Sequence, residues 1–592
     1  MAKRGGKGAG CAPGAMTSTL ADDFSIVLCG EAGQGIQTVE EALTRVLKRT
    51  GFHVFATKEY MSRIRGGNNS TAIRVSSRRV RAQLDAIDLL VPLQKGAIEH
   101  MGARVTKGTV IMGERGVLGD VPGLVEVPLS EAAKELGGPV FSNIIAAGVI
   151  CGILRADPAI LEAYLRERFG KKGGDVVDKN LEAARRGYAI GEGLRAKGVF
   201  KVEIPPDPAV REEVLISGAD AVAMGALAGG CNFIASYPMS PSTGVLTFLA
   251  QHAREFDVVV EQAEDEIAAM NMGIGAWYAG ARALVGTSGG GFALMVEGTS
   301  LAGMLESPMV IHLAQRPGPA TGLPTRTEQG DLELALHAGH GSFPRIIYAP
   351  GSIEDAVLLT HRAFNQADKH QVPVFVLTDQ YLIDSYYNLP DIDWDSLRAE
   401  TYVTRTEKGY RRYALTGSGL SPRGIPGWGE GLVMVDSDEH DEWGHITEDT
   451  GMRVSMVDKR LRKGALVLGD SLGPELVGGK DYETLLVGWG STYHVIREAM
   501  ERLGRPSVSF LHFKQVWPVP PGTEAMLRRA KRVIAIEGNA TGQFARLLKL
   551  ETGVDAHHRV LKYSGQQFSV EEVARAVCDA LDGGDEAKGG EA

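Results

Sequence analysis

Cysteine is scarce in this chain: five among 592 residues, at Cys11, Cys29, Cys151, Cys231 and Cys578, with no CxxC pair. That scatter excludes an iron–sulfur cradle and a zinc knuckle, which need closely spaced thiolates, and no metal site is expected. A reducing, cytoplasmic setting is the expected home. Long apolar runs are missing too. The segment IIAAGVICGIL, from Ile144 to Leu154, is too short to cross a bilayer and suits a buried helix, so no membrane association is expected. Excess positive charge is also absent. With 63 Lys plus Arg against 73 Asp plus Glu the net charge is −10, which argues against a nucleic-acid partner.

What is present is the composition of a large folded protein. Hydrophobic residues make up 44% and charged residues 23%, so ordinary cores can form, and the length suits three or four domains. Residues 1–22 and 579–592 are Gly-rich tails expected to be disordered; the first has no apolar core of a secretory signal. FSIVLCGEAGQGI is an apolar strand running into Gly30, Gly33 and Gly35, after which Val39, Ala42, Leu43, Val46 and Leu47 share one helix face. Its GxxGxG spacing is not the dinucleotide fingerprint, so a tight strand-to-helix turn competes with a phosphate loop. Residues 196–213, with Pro205 and Pro206 amid mixed charge, read as a linker.

Beyond the linker, NFIAS, DVVVEQ, ALVGTS, PMVIHLA, RIIYAP and VPVFVLTD alternate with helical-period stretches. That pattern predicts an α/β fold with a parallel sheet, helices on both faces and ligands at the C-terminal strand ends. Residues 391–480 are rich in Gly, Pro and charge and read as a long irregular connection. The spacing of His440, Glu442 and His445 fits neither HExxH nor an i, i+4 pair, so the reading there is a packing or subunit-contact loop. From YETLLVGWGST onward, strand–helix alternation resumes through EGNATGQ, where Glu537 and Asn539 read as turn residues.

Four motifs fall at strand ends between Tyr237 and Asp331. YPMSPST is a stiff turn expected to present Ser240, Ser242 and Thr243 outward. Glu264, Asp265 and Glu266 stand at the mouth of an apolar helix. A carboxylate there is a candidate catalytic group, and a dipole-stabilised acidic cluster is the alternative. GTSGGGFALMVEG sets Thr287 and Ser288 on a Gly loop that lets backbone approach a ligand closely. It lacks the Lys-Ser/Thr of a nucleotide P-loop. QRPGPATGLPTRTEQGD places Arg316 on a stiff loop, where its fork suits a carboxylate; Arg326 is its rival.

In this order the motifs resemble the thiamine-diphosphate-dependent 2-oxoacid:ferredoxin oxidoreductases, in particular their α subunit with the γ domain fused in front. YPMSPST resembles the family's YPITPS turn, with Met239 and Ser240 where Ile and Thr are usual, and the Gly33–Gly35 turn with RGGNNSTAIRVS resembles the γ domain. The resemblance implies a multidomain α/β chain: a γ domain over 23–195, a transketolase-like pyrimidine-binding domain over 214–390 and a C-terminal α/β domain over 481–578. It implies that Glu266 contacts the thiamine aminopyrimidine, with Tyr237, Pro238, Thr287 and Ser288 also on the cofactor. Arg316 is then the substrate carboxylate anchor, with Ser240 and Thr325 as hydroxyl partners. Gly33, Gly35 and Arg65 are candidates to meet coenzyme A, and Arg63 and Arg74 could meet its phosphates, with solvated surface arginines as the alternative.

No GDG sequence is present to grip a Mg2+-bound diphosphate. The resemblance therefore implies a β subunit that shares thiamine diphosphate and carries the Mg2+ and the iron–sulfur cluster. The implied assembly is an (αβ)2 heterotetramer that reduces ferredoxin. The implied reaction is oxidative decarboxylation of 2-oxoglutarate with coenzyme A to succinyl-CoA and CO2. Alternatives are a pyruvate or branched-chain 2-oxoacid enzyme and a noncatalytic organising subunit.

Overall fold

The computed structural model describes residues 22–61 and 66–582, and within them the chain forms two units. Of the tails expected to be disordered, residues 1–21 and 583–592 lie outside the described residues, as do the roles expected of Arg63 and Arg65, whereas residues 579–582, counted with the second tail, complete the helix Val570–Asp582.

The first unit comprises residues up to 216 together with 385–391 and 569 onward. Its sheet centres on the strand Asp23–Ala32, buried from Asp23 to Gly30, which pairs antiparallel with Gly66–Ser76 and parallel with Leu89–Pro92. Gly33 and Gly35 follow with φ of 92° and 78°, a left-handed turn that glycine adopts without strain, and they lead into the helix Ile36–Thr50. The apolar segment from Ile144 to Leu154 is a buried helix, as its composition predicts. That helix, Ser142–Leu154, crosses Gly174–Ala196 at glycines: a Cβ on Gly148 would lie 2.5 Å from the Ala184 carbonyl oxygen, and one on Gly187 2.2 Å from that of Ile145. Backbone here packs directly on backbone.

Two segments join this unit from beyond the expected γ domain. Tyr386–Leu389, which falls within the expected 214–390 domain, pairs antiparallel with His53–Glu59 in the first sheet. The helix Val570–Asp582, expected to end the C-terminal domain, buries Val570, Val573, Ala574 and Val577 and belongs to the first unit as well. Sequence carries no local information about which distant core an amphipathic face will meet.

The second unit contains two sheets. The larger has the order Gln515–Trp517, Ile346–Tyr348, Pro373–Asp379, Met309–Gln315, Ala283–Thr287, Phe233–Ser236 and Val259–Gln262. All its pairings are parallel except that of Gln515–Trp517, which runs antiparallel to Ile346–Tyr348. Its inner strands are apolar and buried along their whole length, as parallel strands covered on both faces must be. The smaller sheet has the order Glu475–Val477, Val508–Phe513, Thr484–Trp489, Arg532–Glu537 and His558–Leu561. WPVP thus does more than the sequence predicts, since its strand leaves the C-terminal sheet's neighbourhood in sequence to complete the larger sheet. The connection over 391–480 is irregular to residue 449 and then forms the helix Thr450–Gly469. Among the described residues no helix is long and apolar enough to cross a membrane.

Gly187→Ala should destabilise the first unit by roughly 1–3 kcal/mol through overpacking. Gly193→Ala, on the same helix but with open space around it, should stabilise by up to about 1 kcal/mol. Urea unfolding of both variants beside the parent chain checks the pair.

Candidate functional site

The larger sheet reverses direction of travel between two neighbouring strands. From Phe233–Ser236 the chain moves outward to Val259–Gln262, then returns to add Ala283–Thr287 on the other side. Such a switch point opens a crevice beyond the C-terminal ends of the two strands. Turn 237–242, the start of the helix Glu266–Tyr278 and the short helix Gly289–Phe292, which stands where the sequence reads a Gly loop, all follow strands at this crevice.

Glu266 is the first residue of its helix and is 3% exposed. Asp265 is the cap, its Oδ1 accepting from the Ala268 N–H at 2.7 Å, and Glu264 is exposed, which separates the three acids into one buried and two structural groups. Glu266 Oε1 is buried without a hydrogen-bond partner. Burial pushes the carboxyl above its ordinary value, Asp265 acting in the same direction and Arg316 against it. A Cβ at Gly291 would lie 2.3 Å from that Oε1 and 2.2 Å from Thr287 Oγ1, so glycine alone lets the loop backbone approach the carboxylate.

Thr287 and Ser288 are fully buried, and Ser288 Oγ is another buried atom without a partner. Arg316 follows the strand Met309–Gln315 and is 9% exposed. Its Nη1 donates to the Ser240 carbonyl at 2.8 Å while its Nε is buried and unpartnered. Burial lowers the guanidinium's pKa, and the Asp331 and Glu266 carboxylates oppose that shift. Among the expected residues, the structure links Ser240 with Arg316 and sets Thr287 beside Glu266; Thr325 is buried on the loop between Arg316 and Asp331, and Tyr237 is largely exposed. Gly33, Gly35 and Arg74 belong to the first unit. There Arg74 is spent on a buried bidentate pair with Asp23, at 2.9 and 2.6 Å, and is not available to a phosphate. Ser242 differs from expectation too: it is buried, and its hydroxyl donates inward to the Met239 carbonyl at 3.0 Å.

Two residues of the same loop went unnoticed in the sequence. Gln329 fastens the loop to the smaller sheet, accepting from the Gly538 N–H at 2.8 Å and donating to the Trp489 carbonyl at 2.9 Å. Asp331 presses on the start of the short helix Gly289–Phe292, where a Cβ at Gly289 would lie 2.3 Å from its Oδ1. A signal existed in the TEQGD run, but its polar residues resemble a solvated turn until the fold buries them. Arg326, the rival guanidine, has its side chain against Gly565. Asn539 lies in the turn, its Oδ1 accepting from the Gly542 N–H at 2.7 Å, whereas Glu537 differs from expectation as the buried end of the strand Arg532–Glu537, accepting at 2.9 Å from the Phe544 and Ala545 N–H groups that open the next helix. His440 stacks on Tyr413 with ring centroids 3.8 Å apart, Glu442 pairs with Arg411, and the exposed His445 lies 3.6 Å from Asp441, so the three side chains are engaged separately.

Comparison with known proteins identifies the family. Residues 224–459 match the family model described as pyruvate flavodoxin/ferredoxin oxidoreductase, thiamine diP-binding, and residues 25–190 match that of pyruvate ferredoxin/flavodoxin oxidoreductase. The 2-oxoacid:ferredoxin oxidoreductase subunit alpha of a Sulfolobus species is 30% identical over 95% of this chain and 98% of its own. The 2-oxoglutarate oxidoreductase subunit KorA of Mycobacterium tuberculosis is 29% identical over 95% of this chain and 92% of its own. A solved structure of 2-oxoglutarate:ferredoxin oxidoreductase from Magnetococcus marinus, with 2-oxoglutarate, coenzyme A and succinyl-CoA bound, superposes with a TM-score of 0.89. It is 31% identical and covers 95% of this chain and 100% of its own.

Asp379, at the end of its strand, is 2% exposed, and burial raises its carboxyl from 3.8 to about 6 against hydrogen bonds led by the Ser491 hydroxyl. An acid raised on folding contributes stability that is complete below its unfolded pKa and lost as pH rises through the folded one. Asp379→Asn should therefore gain stability relative to the parent chain as pH rises from about 4 to about 7, which thermal unfolding at several pH values measures.

Proposed function

The chain belongs to the 2-oxoacid:ferredoxin oxidoreductase α subunits, and on that premise we propose that it acts on 2-oxoglutarate, yielding succinyl-CoA and CO2 and reducing ferredoxin. The observation that carries the site assignment is the buried Glu266 Oε1, without a partner and pressed against Gly291 at the switch point. A carboxylate held in that state fits a ring nitrogen whose proton it can share, which is what the aminopyrimidine of thiamine diphosphate offers. The chemistry this cofactor supplies when bound is addition to the oxo carbon and storage of the electron pair left by departing CO2.

The chain's residues do the rest in this reading. Glu266 holds a proton at the pyrimidine nitrogen and so selects the reactive tautomer. Gly289, Gly290 and Gly291 admit the ring close to backbone, with Thr287, Ser288, Tyr237 and Pro238 completing the wall. Arg316 receives the substrate carboxylate in its fork, with Ser240 and Thr325 orienting the acid. The Gly33–Gly35 turn is the candidate contact for coenzyme A. Neither a GDG sequence nor a cysteine cluster is present, so the Mg2+–diphosphate grip and the iron–sulfur cluster fall to the β subunit, in an (αβ)2 heterotetramer. The preference for 2-oxoglutarate over pyruvate rests on relatives named for 2-oxoglutarate at 29% and 31% identity.

Anaerobic reduction of a viologen dye by the complex with its β subunit tests the substrate. Faster reduction with 2-oxoglutarate than with pyruvate is expected, and the reverse order overturns the specificity while keeping the class. Glu266→Ala should abolish turnover with the complex still assembled, and turnover at the parent rate would remove Glu266 from the mechanism. Arg316→Gln should raise KM for the 2-oxo acid at least tenfold, on the order of the 2 kcal/mol or more that a charge-assisted pair contributes.

A further inference from the structure

Asp331 is the acidic residue of this crevice that the motifs did not assign. Its backbone N–H donates to Gln315 Oε1 at 3.0 Å, and Gln315 Nε2 donates to the Thr378 carbonyl at 3.0 Å, so two strand ends fix its position. Its Oδ2 is buried without a hydrogen bond, and both oxygens lie where a Cβ on Gly289 would be, 2.3 and 2.4 Å away. No direct ion pair joins it to Arg316. Yet the carboxylates that act on Arg316 are those of Asp331 and Glu266, Asp331 the more strongly. The guanidinium therefore has nearby counter-charge but one hydrogen bond, to the Ser240 carbonyl, and a buried Nε without a partner.

An anion placed in that fork adds a negative charge beside one already there. We propose that Asp331 sets the charge of the Arg316 subsite and takes up one proton from solvent when the carboxylate of a 2-oxo acid binds. The inference rests on the reading of Arg316 as carboxylate anchor and adds to it a positioning residue that makes affinity depend on pH. No covalent bond changes in this step: the proton comes from water or buffer, goes to the Asp331 carboxylate, and returns when the anion leaves.

The charged groups around Asp331 support it. Burial raises its carboxyl to about 7, with Glu328 adding to the shift and Arg316 opposing it. Glu266 faces Arg316 from the neighbouring helix, and Glu333, on the helix that follows, is occupied by Arg546 at 3.3 Å. Below that pKa the group is already neutral and binding needs no proton. Above it, each pH unit should cost the anion up to about tenfold in affinity.

The test is KM for 2-oxoglutarate across about pH 6–9, measured on the complex with its β subunit by viologen reduction. The expected KM is level on the acid side and climbs above neutrality. Asp331→Asn should flatten the climb, and Glu328→Gln should move its onset to lower pH by removing a charge that raises Asp331. A level KM in the parent complex, or a climb that Asp331→Asn leaves in place, overturns the proposal. Should that variant fail to assemble, calorimetry of glutarate binding to the parent complex at about pH 8, in buffers of differing ionisation enthalpy, decides: proton uptake supports the proposal and none overturns it. If Arg316→Gln leaves KM unchanged, the anchor reading itself has failed; if it raises KM while the parent profile stays level, only the proton coupling has failed.

Discussion

Burying a charged group without a full set of partners costs several kcal/mol, and the crevice at the switch point carries that cost at Glu266, Arg316 and Asp331 together. Elsewhere in the second unit buried charge is gathered into ion-paired sets. Glu306 receives Lys459 at 2.6 Å and Lys463 at 2.9 Å, and Arg412 donates to its carbonyl at 2.8 Å. Asp368 takes Arg282 at 2.9 Å and Arg423 at 2.5 Å, with both guanidines over the Trp277 ring. These ion-paired sets tie the irregular connection and the helix Thr450–Gly469 to the body of the unit. In the crevice, by contrast, no ion pair joins Glu266, Arg316 or Asp331 among the described residues, and a protein keeps unpartnered polar atoms where a ligand completes them.

The crevice exists because a parallel sheet delivers successive strand ends to one edge. Ser236, Gln262, Thr287, Gln315 and Asp379 end five of its strands, and the residues that follow them meet although they are far apart in sequence. The loop from Arg316 to Asp331 would be the weak member, being long and rich in glycine and proline. Gln329 removes that freedom by bonding to Gly538 and Trp489 at the ends of two strands in the smaller sheet. Rigidity at Arg316 is thus borrowed from a second core, which is why a guanidinium on a loop can serve where orientation matters.

Much of this was legible in the residues. Apolar runs ending in turn motifs gave the parallel sheet and put Glu266, Thr287 and Arg316 at one edge, and the buried helix around Gly148 followed from composition alone. What stayed hidden depended on long-range partners. Arg74 reads as a basic surface residue until Asp23 is seen beside it, and Ser242 as an outward hydroxyl until the turn closes on Met239. Asp331 carries no local mark of burial, because its surroundings come from Gly289, Gln315 and Glu328 only after folding. The strand Tyr386–Leu389 and the helix Val570–Asp582 were not singled out in the sequence, and their membership of the first unit is a property of complementary surfaces that leaves no period in the sequence.

That membership has a consequence for how the chain is made. Synthesis is vectorial, and the first residues to emerge build a sheet that still lacks Tyr386–Leu389 and a body that still lacks the terminal helix. The N-terminal unit therefore leaves the ribosome with an open edge at His53–Glu59 and with the apolar surface that Val570, Val573 and Val577 will cover still bare. Its completion waits for the helix Val570–Asp582, so a transcript cut short before that helix leaves this earlier-made unit unfinished, and the fused arrangement couples the integrity of an early segment to the arrival of a late one.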